Sequence, residues 1–191
     1  MAVGTSALAS VGDYLRATRE ERALTLEQAA SLSGISKSHL SRLESSERQP
    51  SVASLLALSS AYGVPVGELF GESRAVSPLS IWQPERPRQE SNGLSIAACS
   101  GYSGSSVIDA LRITLSPDRE APPPARHPGE EWLYVLDGTL ILEYDGELQR
   151  IGTGTAVHFN AEVPHRLAAD GSAVELLLVA AKPDRKLHNI H

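Results

Sequence analysis

Two groups of residues in this 191-residue chain carry side chains suited to recognition or chemistry. The first is the run Ser36, Lys37, Ser38, His39, Ser41 and Arg42. Its short hydroxyls and cations are the types that reach phosphate oxygens and base edges. No acid interrupts that run before Glu44. The second group is split between Arg126-His127-Pro128-Gly129-Glu130-Glu131 and Val163-Pro164-His165-Arg166, with Gly138 and Gly154 between them. It gathers imidazoles and carboxylates among prolines and glycines. What either group does depends on the elements that hold it.

Residues 10–70 read as helices and 107–181 as strands. Ser10 with Asp13 three residues on marks a capped helix start, followed by apolar Val11, Tyr14 and Leu15 over about 11–23. Thr25 and Gln28 form a capping box ahead of Leu26, Ala29, Ala30 and Leu32, and Gly34 ends that helix. Ser36 starts a third helix with Leu40 and Leu43 facing inward. After a polar loop over 44–50, Ser51 starts a fourth with Val52, Leu55, Leu56, Leu58 and Ala61 apolar, and Gly63 stops it. A short fifth follows Pro65 and carries Val66, Leu69 and Phe70. Over 25–43 this gives helix, Gly-containing turn and helix, the arrangement whose second helix lies in the major groove.

Residues 71 to about 92 show no sustained period and hold Pro78, Pro84 and Pro87. They read as a linker ending in a first strand, with apolar 79–82 suited to dock on a neighbour. Beyond it the period changes. Leu111, Ile113 and Leu115 alternate with Arg112 and Thr114. Residues 131–136, 139–144, 155–159 and 173–181 continue as strands, and Asp137-Gly138 and Asp145-Gly146 read as hairpin signals. Short strands at this spacing predict an antiparallel sandwich or barrel. If Glu131 points inward, so do Leu133 and Val135, which puts Trp132, Tyr134 and Leu136 on the outer face. Such a patch calls for a second subunit or the linker to cover it.

The composition is that of an ordinary globular chain: 41% hydrophobic and 21% charged, which excludes a disordered tail, a collagen repeat and a disulfide scaffold. Apolar runs such as 176–181 are too short to span a membrane, so no membrane partner is expected. Residues 1–10 place no Lys or Arg before a hydrophobic stretch, and Cys99 is the one cysteine. Both point to a reducing, cytoplasmic location. The net charge of −6 is concentrated after residue 71, while the helical part is close to neutral. Where its bases lie therefore matters more than the total.

The helical part resembles the Cro/C1-type (XRE family) DNA-binding domain. The resemblance rests on Leu15-Arg16 with Arg19, Thr25-Leu26-Glu27-Gln28-Ala29-Ala30, Gly34-Ile35-Ser36-Lys37-Ser38, Leu40-Ser41-Arg42-Leu43-Glu44 and Pro50-Ser51. It implies an internal Arg19–Glu44 ion pair, with Ser36, Lys37, Ser38 and Arg42 facing DNA. Lys37 and Arg42 are then the base readers, Arg or Lys to guanine being the commonest specific contact. Ser36 and Ser41 would hold phosphates, and Gln28 would touch the DNA backbone. His39 stays open between a DNA contact and a surface histidine. The family solution is a homodimer on two half-sites of a palindromic operator.

The strand part resembles the cupin family, a small double-stranded β-helix or jelly-roll barrel, through His127, Glu131, Gly138, Gly154, Pro164 and His165. In metal-binding cupins two histidines, a glutamate and a final histidine converge inside the barrel. The place of the first histidine is Ala125 here. His127, Glu131 and His165 remain, a 2-His-1-carboxylate set that would accept one divalent ion such as Fe, Zn or Ni. The alternative is that these residues persist only as hydrogen-bonding or ligand-contact groups. Arg112 and Arg126, with Arg166, are the candidate effector contacts at the barrel mouth.

The resulting expectation is a two-domain protein, an all-α five-helix repressor-like head followed by an all-β cupin. The head spans 10–71, the linker with possible first strands 72–104, and the barrel 105–191. Its expected function is sequence-specific, double-stranded-DNA-binding transcriptional regulation, as a repressor, with a small effector bound by the barrel. The alternative is a non-haem iron cupin enzyme resembling hydroxypropylphosphonate epoxidase, which shares the two-domain plan and the His/Glu/His set.

Overall fold

The computed structural model describes residues 10–71, 79, 81–82, 89–100 and 107–181. Its helical part opens with α1 (Val11–Glu21), α2 (Leu26–Ser33), α3 (Lys37–Glu44) and α4 (Val52–Tyr62). Each starts where a side chain can accept a free backbone N–H. Ser10 caps α1, Thr25 caps α2, Ser36 caps α3 and Ser51 caps α4. Ser10 with Asp13 and Thr25 with Gln28 close full capping boxes. The expected fifth α-helix is instead a 3-10 helix, Val66–Phe70. Five residues between Pro65 and Gly71 are too few to repay the nucleation of an α-helix.

Leu15, Leu40, Leu43, Leu55, Leu58 and Leu69 fill the core of this head. The family-implied ion pair is present. Arg19 Nε and Nη2 donate to the two oxygens of Glu44 at 2.7 and 2.9 Å, and Arg19 Nη1 donates to the Leu24 carbonyl at 2.8 Å. The pair is buried, and its fork geometry offsets the desolvation that burial costs. α4 differs from the other helices, since nine of its eleven residues are buried. A helix covered all round must have neighbours on both sides. One side packs on the head and the other faces the second domain.

The second domain is two antiparallel sheets. Its strands are β1 (Gln89–Ser91), β2 (Leu94–Ala98), β3 (Ile108–Leu115), β4 (Glu130–Asp137), β5 (Thr139–Tyr144), β6 (Glu147–Gly152), β7 (Ala156–Asn160), β8 (His165–Ala169) and β9 (Val174–Ala181). Six form one sheet in the order β1-β2-β3-β9-β4-β7, and three form the other, β6-β5-β8. Alternation buries Leu111, Ile113, Leu133, Val135, Leu176 and Leu178 between the sheets.

The two Asp-Gly signals have different fates. Asp145-Gly146 makes the β5–β6 hairpin, with both residues at positive φ. Asp137-Gly138 is not a hairpin, because β4 pairs with β7 and β9 while β5 pairs with β6 and β8. The turn carries the chain from one sheet to the other. A Cβ at Gly138 would sit 2.5 Å from the Ala173 carbonyl oxygen, and φ there is +83°, so only glycine fits the crossing.

Candidate functional site

The first candidate surface is α3. Leu40 and Leu43 are its buried residues together with Glu44, which turns Ser36, Lys37, Ser38, Ser41 and Arg42 outward. Ser36 is the N-cap, and its Oγ accepts from the His39 amide at 3.3 Å. Arg42 has no ion-pair partner among the described residues. Lys37 does have one, because its ammonium is bound by Glu27 of α2. The run itself holds no acid before Glu44, but an acid reaches it all the same. The acid comes from the preceding helix, which the spacing within α3 cannot reveal. Gln28 is exposed, but its carbonyl oxygen is committed to the Thr25 amide at 2.9 Å, leaving its NH2 group outward. His39 is half-buried and lines a cleft between the head and the second domain.

The second candidate is the group inside the sandwich. Glu131 comes from β4 of the large sheet, His165 from β8 of the small one, and His127 from the segment leading into β4. All three are at most 5% exposed. Their ligand atoms lie within 4.8 Å of one another. His127 Nε2 is 2.6 Å from Glu131 Oε1, and His165 Nε2 is 3.4 Å from the same oxygen. On the far side of each ring a backbone carbonyl faces Nδ1, Pro128 at 3.3 Å and Val163 at 2.9 Å. Donation from Nδ1 leaves Nε2 aimed at the carboxylate, the orientation of a metal-ligating histidine.

Within this cluster two buried atoms, Glu131 Oε2 and His165 Nε2, have no hydrogen-bond partner among the described residues. Orphaned buried polar atoms are costly, and here both belong to one cluster. A divalent ion among the three side chains satisfies them, so the donor set fits such an ion. Burial acts to raise the Glu131 carboxyl, but the contacts with His127 and His165 outweigh it and hold it down to about 2. Burial likewise acts to lower His165, and Glu131 overrides it and raises the ring. Ala125, the position at which the cupin resemblance places a further histidine, pairs backbone to backbone with His165 at 3.0 and 2.9 Å.

The three arginines separate. Arg112 lies on the outer face of β3, between buried Leu111 and Ile113, and donates to both oxygens of Glu175 at 2.8 and 3.0 Å. The structure does not bring it to the mouth, since strand alternation turns it away from the interior. Arg166 is bound by Glu143 and reaches the Pro122 carbonyl at 3.4 Å. Arg126 lines the cleft that also holds Ser36, His39 and Arg48. Arg48 is a lining residue missed by sequence reasoning, because its loop position resembles that of any solvated arginine. The N-terminus of α4 lies over two of the three: Ser51 and Val52 share a gap of about 20 Å³ with Pro122, Glu131 and His165.

On the outside of the large sheet, Trp132 is 40% exposed and stacks on Tyr134 with 6.2 Å between ring centroids. Glu131, Leu133 and Val135 point inward as strand parity predicts. No helix among the described residues is long and apolar enough to cross a membrane.

Comparison with known proteins agrees with this division. Residues 10–70 match the family described as a helix-turn-helix domain, and residues 111–180 match the family described as a cupin domain. The HTH-type transcriptional regulator PuuR of Escherichia coli (strain K12) is 24% identical over 174 residues, covering 90% of this chain and 94% of the relative. An HTH_3 family transcriptional regulator from Vibrio cholerae superposes with a TM-score of 0.63 at 22% identity, over 91% of this chain and 95% of that one. The Fe(II) form of HppE superposes with a TM-score of 0.50 at 19% identity, over 92% of this chain and all of that one. At these identities the two solved structures speak for the fold alone.

Proposed function

The chain belongs to the helix-turn-helix transcriptional regulators that carry a cupin domain, and on that premise we propose that it reads a palindromic operator as a homodimer and answers to a small effector. The observation that carries the reading is the outward face of α3, where hydroxyls and cations stand over a helix anchored by Leu40 and Leu43. Lys37 and Arg42 are assigned to base edges, and Ser36, Ser38, Ser41 and Gln28 to the phosphate backbone. Lys37 must exchange Glu27 for DNA, which makes its contribution a difference between two partners. One such module buries little DNA, and two on half-sites a helical turn apart meet the need. The Trp132 and Tyr134 face supports pairing of two copies through the large sheet. The division we assign is a head over 10–71, a stretch over 72–104 that links it to the barrel and supplies the first strands β1 and β2, and a barrel over 105–191, acting in the cytoplasm and catalysing no reaction.

His127, Glu131 and His165 would hold one divalent ion, Fe, Zn or Ni, by their Nε2 atoms and carboxylate. A bound ion supplies Lewis acidity, or redox chemistry in the case of iron. The chain's own residues fix the ligand geometry: Val163 and Pro128 carbonyls hold the rings, and the α4 N-terminus limits water. A second reading, a metal-dependent enzyme, is favoured by those two orphaned atoms and by nothing on the head.

Selection of duplexes from a random oligonucleotide pool tests the regulator reading. A two-fold symmetric site should be enriched. Lys37→Ala and Arg42→Ala should each cost about 1–3 kcal/mol and relax preference at one position per half-site. Enrichment of no motif at low salt would turn the assignment to the enzyme. Metal analysis of tag-free protein tests the ion: stoichiometric metal should be present, and lost in His165→Ala.

A further inference from the structure

We propose that the cleft between head and barrel binds a small organic carboxylate, held between Arg48 of the head and Arg126 of the barrel. This rests on the regulator reading and names its effector class and seat. The cleft has a volume of about 290 Å³, at the small end for ligand sites. Both arginines line it, and they reach it from different domains. Arg19, Arg112 and Arg166 are each bound by a glutamate. Arg48 and Arg126 have no ion-pair partner among the described residues. None of the described lining residues is acidic, although acids outnumber Lys and Arg by 23 to 17 in the whole chain. The result is a positive concavity in a negative protein, a geometry that concentrates anions.

The walls fit that occupant. Pro122, Pro123, Pro124 and Pro164 supply rigid apolar lining from the barrel, and Ile35 and Ala57 supply apolar lining from the head. Apolar walls exclude water and strengthen charge-assisted bonds to a guanidinium. The two-oxygen edge of a carboxylate matches the guanidinium fork. Burial first, then the charges of Arg48 and Arg42, push the His39 ring below its ordinary value, so Arg48 stands close to it.

The site also has a consequence for DNA. Ser36 caps α3 and His39 lies in its first turn, so the reading helix forms part of the wall. A carboxylate that spans Arg48 and Arg126 ties that helix to the barrel. By linkage, the factor by which it changes operator affinity equals the factor by which operator changes its own.

Isothermal titration calorimetry on the full chain, at ionic strength matched with sodium chloride, tests the proposal. The probes are succinate, neutral succinamide and inorganic phosphate. Succinate should give saturable heat and succinamide none. Arg48→Ala and Arg126→Ala should each weaken succinate about tenfold or more, and Arg150→Ala, outside the cleft, should leave it unchanged. Both cleft arginines are exposed, so the variants fold, and matching circular dichroism spectra check this. Absence of succinate heat overturns the proposal, as does binding that survives both cleft variants. Binding of phosphate without succinate also overturns it, because the cleft is then a seat for the DNA backbone. The same preparations are tested on the selected operator. Operator bound without succinate sinks the cleft alone, and succinate bound without any operator sinks the regulator reading alone.

Discussion

A carboxylate that is 1% exposed persists in a barrel core only when something carries its charge. Around Glu131 that role falls to His127 and His165, and the pH dependence of the metal-stripped protein should show it. The Glu131 carboxyl is lowered from 4.5 to about 2 on folding, so its stabilisation is present above pH 4.5 and lost as pH falls toward 2. His165 is raised above 6.5 on folding, so its stabilisation is complete below pH 6.5 and lost as pH rises through the folded value. The two windows overlap between pH 4.5 and 6.5. Chelator-treated wild type should therefore exceed Glu131→Gln in stability most in that window, by about 3 kcal/mol. Urea titrations from pH 3 to 9 give the comparison, and a difference that does not vary with pH would refute the account. The residue types of this cluster are legible in the chain. The ring orientations and the orphaned atoms are not, because they arise only where β4 and β8 meet from opposite sheets. Glu27 escaped for the same reason, since its partner Lys37 belongs to a different helix.

Among the elements, what is local in sequence is what could be read. Ser10, Thr25, Ser36 and Ser51 mark helix starts because a cap acts within three residues. β6 shows no apolar alternation, since Ile151 is its one buried residue, so only the Asp145-Gly146 turn announces it. β8 is five residues with two alanines and carries a weak signal of its own. The least legible feature is the closeness of α1 to α3. Gly12 looks like a flaw in a helix, yet a Cβ there would lie 2.5 Å from Ser46 Oγ and 2.6 and 2.8 Å from the Leu43 and Glu44 carbonyl oxygens. A serine hydroxyl can swing aside, but two backbone oxygens at the end of α3 cannot. Gly12→Ala gains helix propensity and still should destabilise the protein by about 1–3 kcal/mol. Because the displaced element is α3, operator binding should weaken further than the stability loss explains. Thermal denaturation beside a binding titration well below the melting temperature separates the two effects. A stabilised variant with unchanged binding would show that the helices can move apart freely.

For the molecule as a whole, the change of period from 3.6 to 2 makes two folds legible, but nothing in either pattern tells how they touch. The contact is built on α4, whose all-round burial is the trace it leaves in sequence: VASLLALSSAY offers no polar stripe. At its N-terminal end Ser51 and Val52 lie beside Glu131 and His165. About 16 Å away along the helix, its last turn meets β3. There Asp109, 1% exposed, accepts from the Val66 amide at 3.2 Å and lies 3.1 Å from Ser59 Oγ. A carboxylate at the start of the 3-10 helix also suits the positive end of that element. Asp109 therefore pins one end of the lever whose other end lies over the barrel mouth. Asp109→Ala leaves the Val66 amide buried without that acceptor, a loss of about 1–3 kcal/mol. The loss should fall on the docking of the head. Both tryptophans, Trp82 and Trp132, lie outside the head, so fluorescence follows the barrel side, whereas ellipticity at the helical band follows the head. Wild type should unfold with the two signals coincident. In Asp109→Ala the helical signal should melt first, with the tryptophan signal following. Coincident signals in the variant would mean that apolar burial along α4 holds the domains together without the carboxylate. Any coupling between effector and operator would then have to run through that apolar face rather than through Asp109.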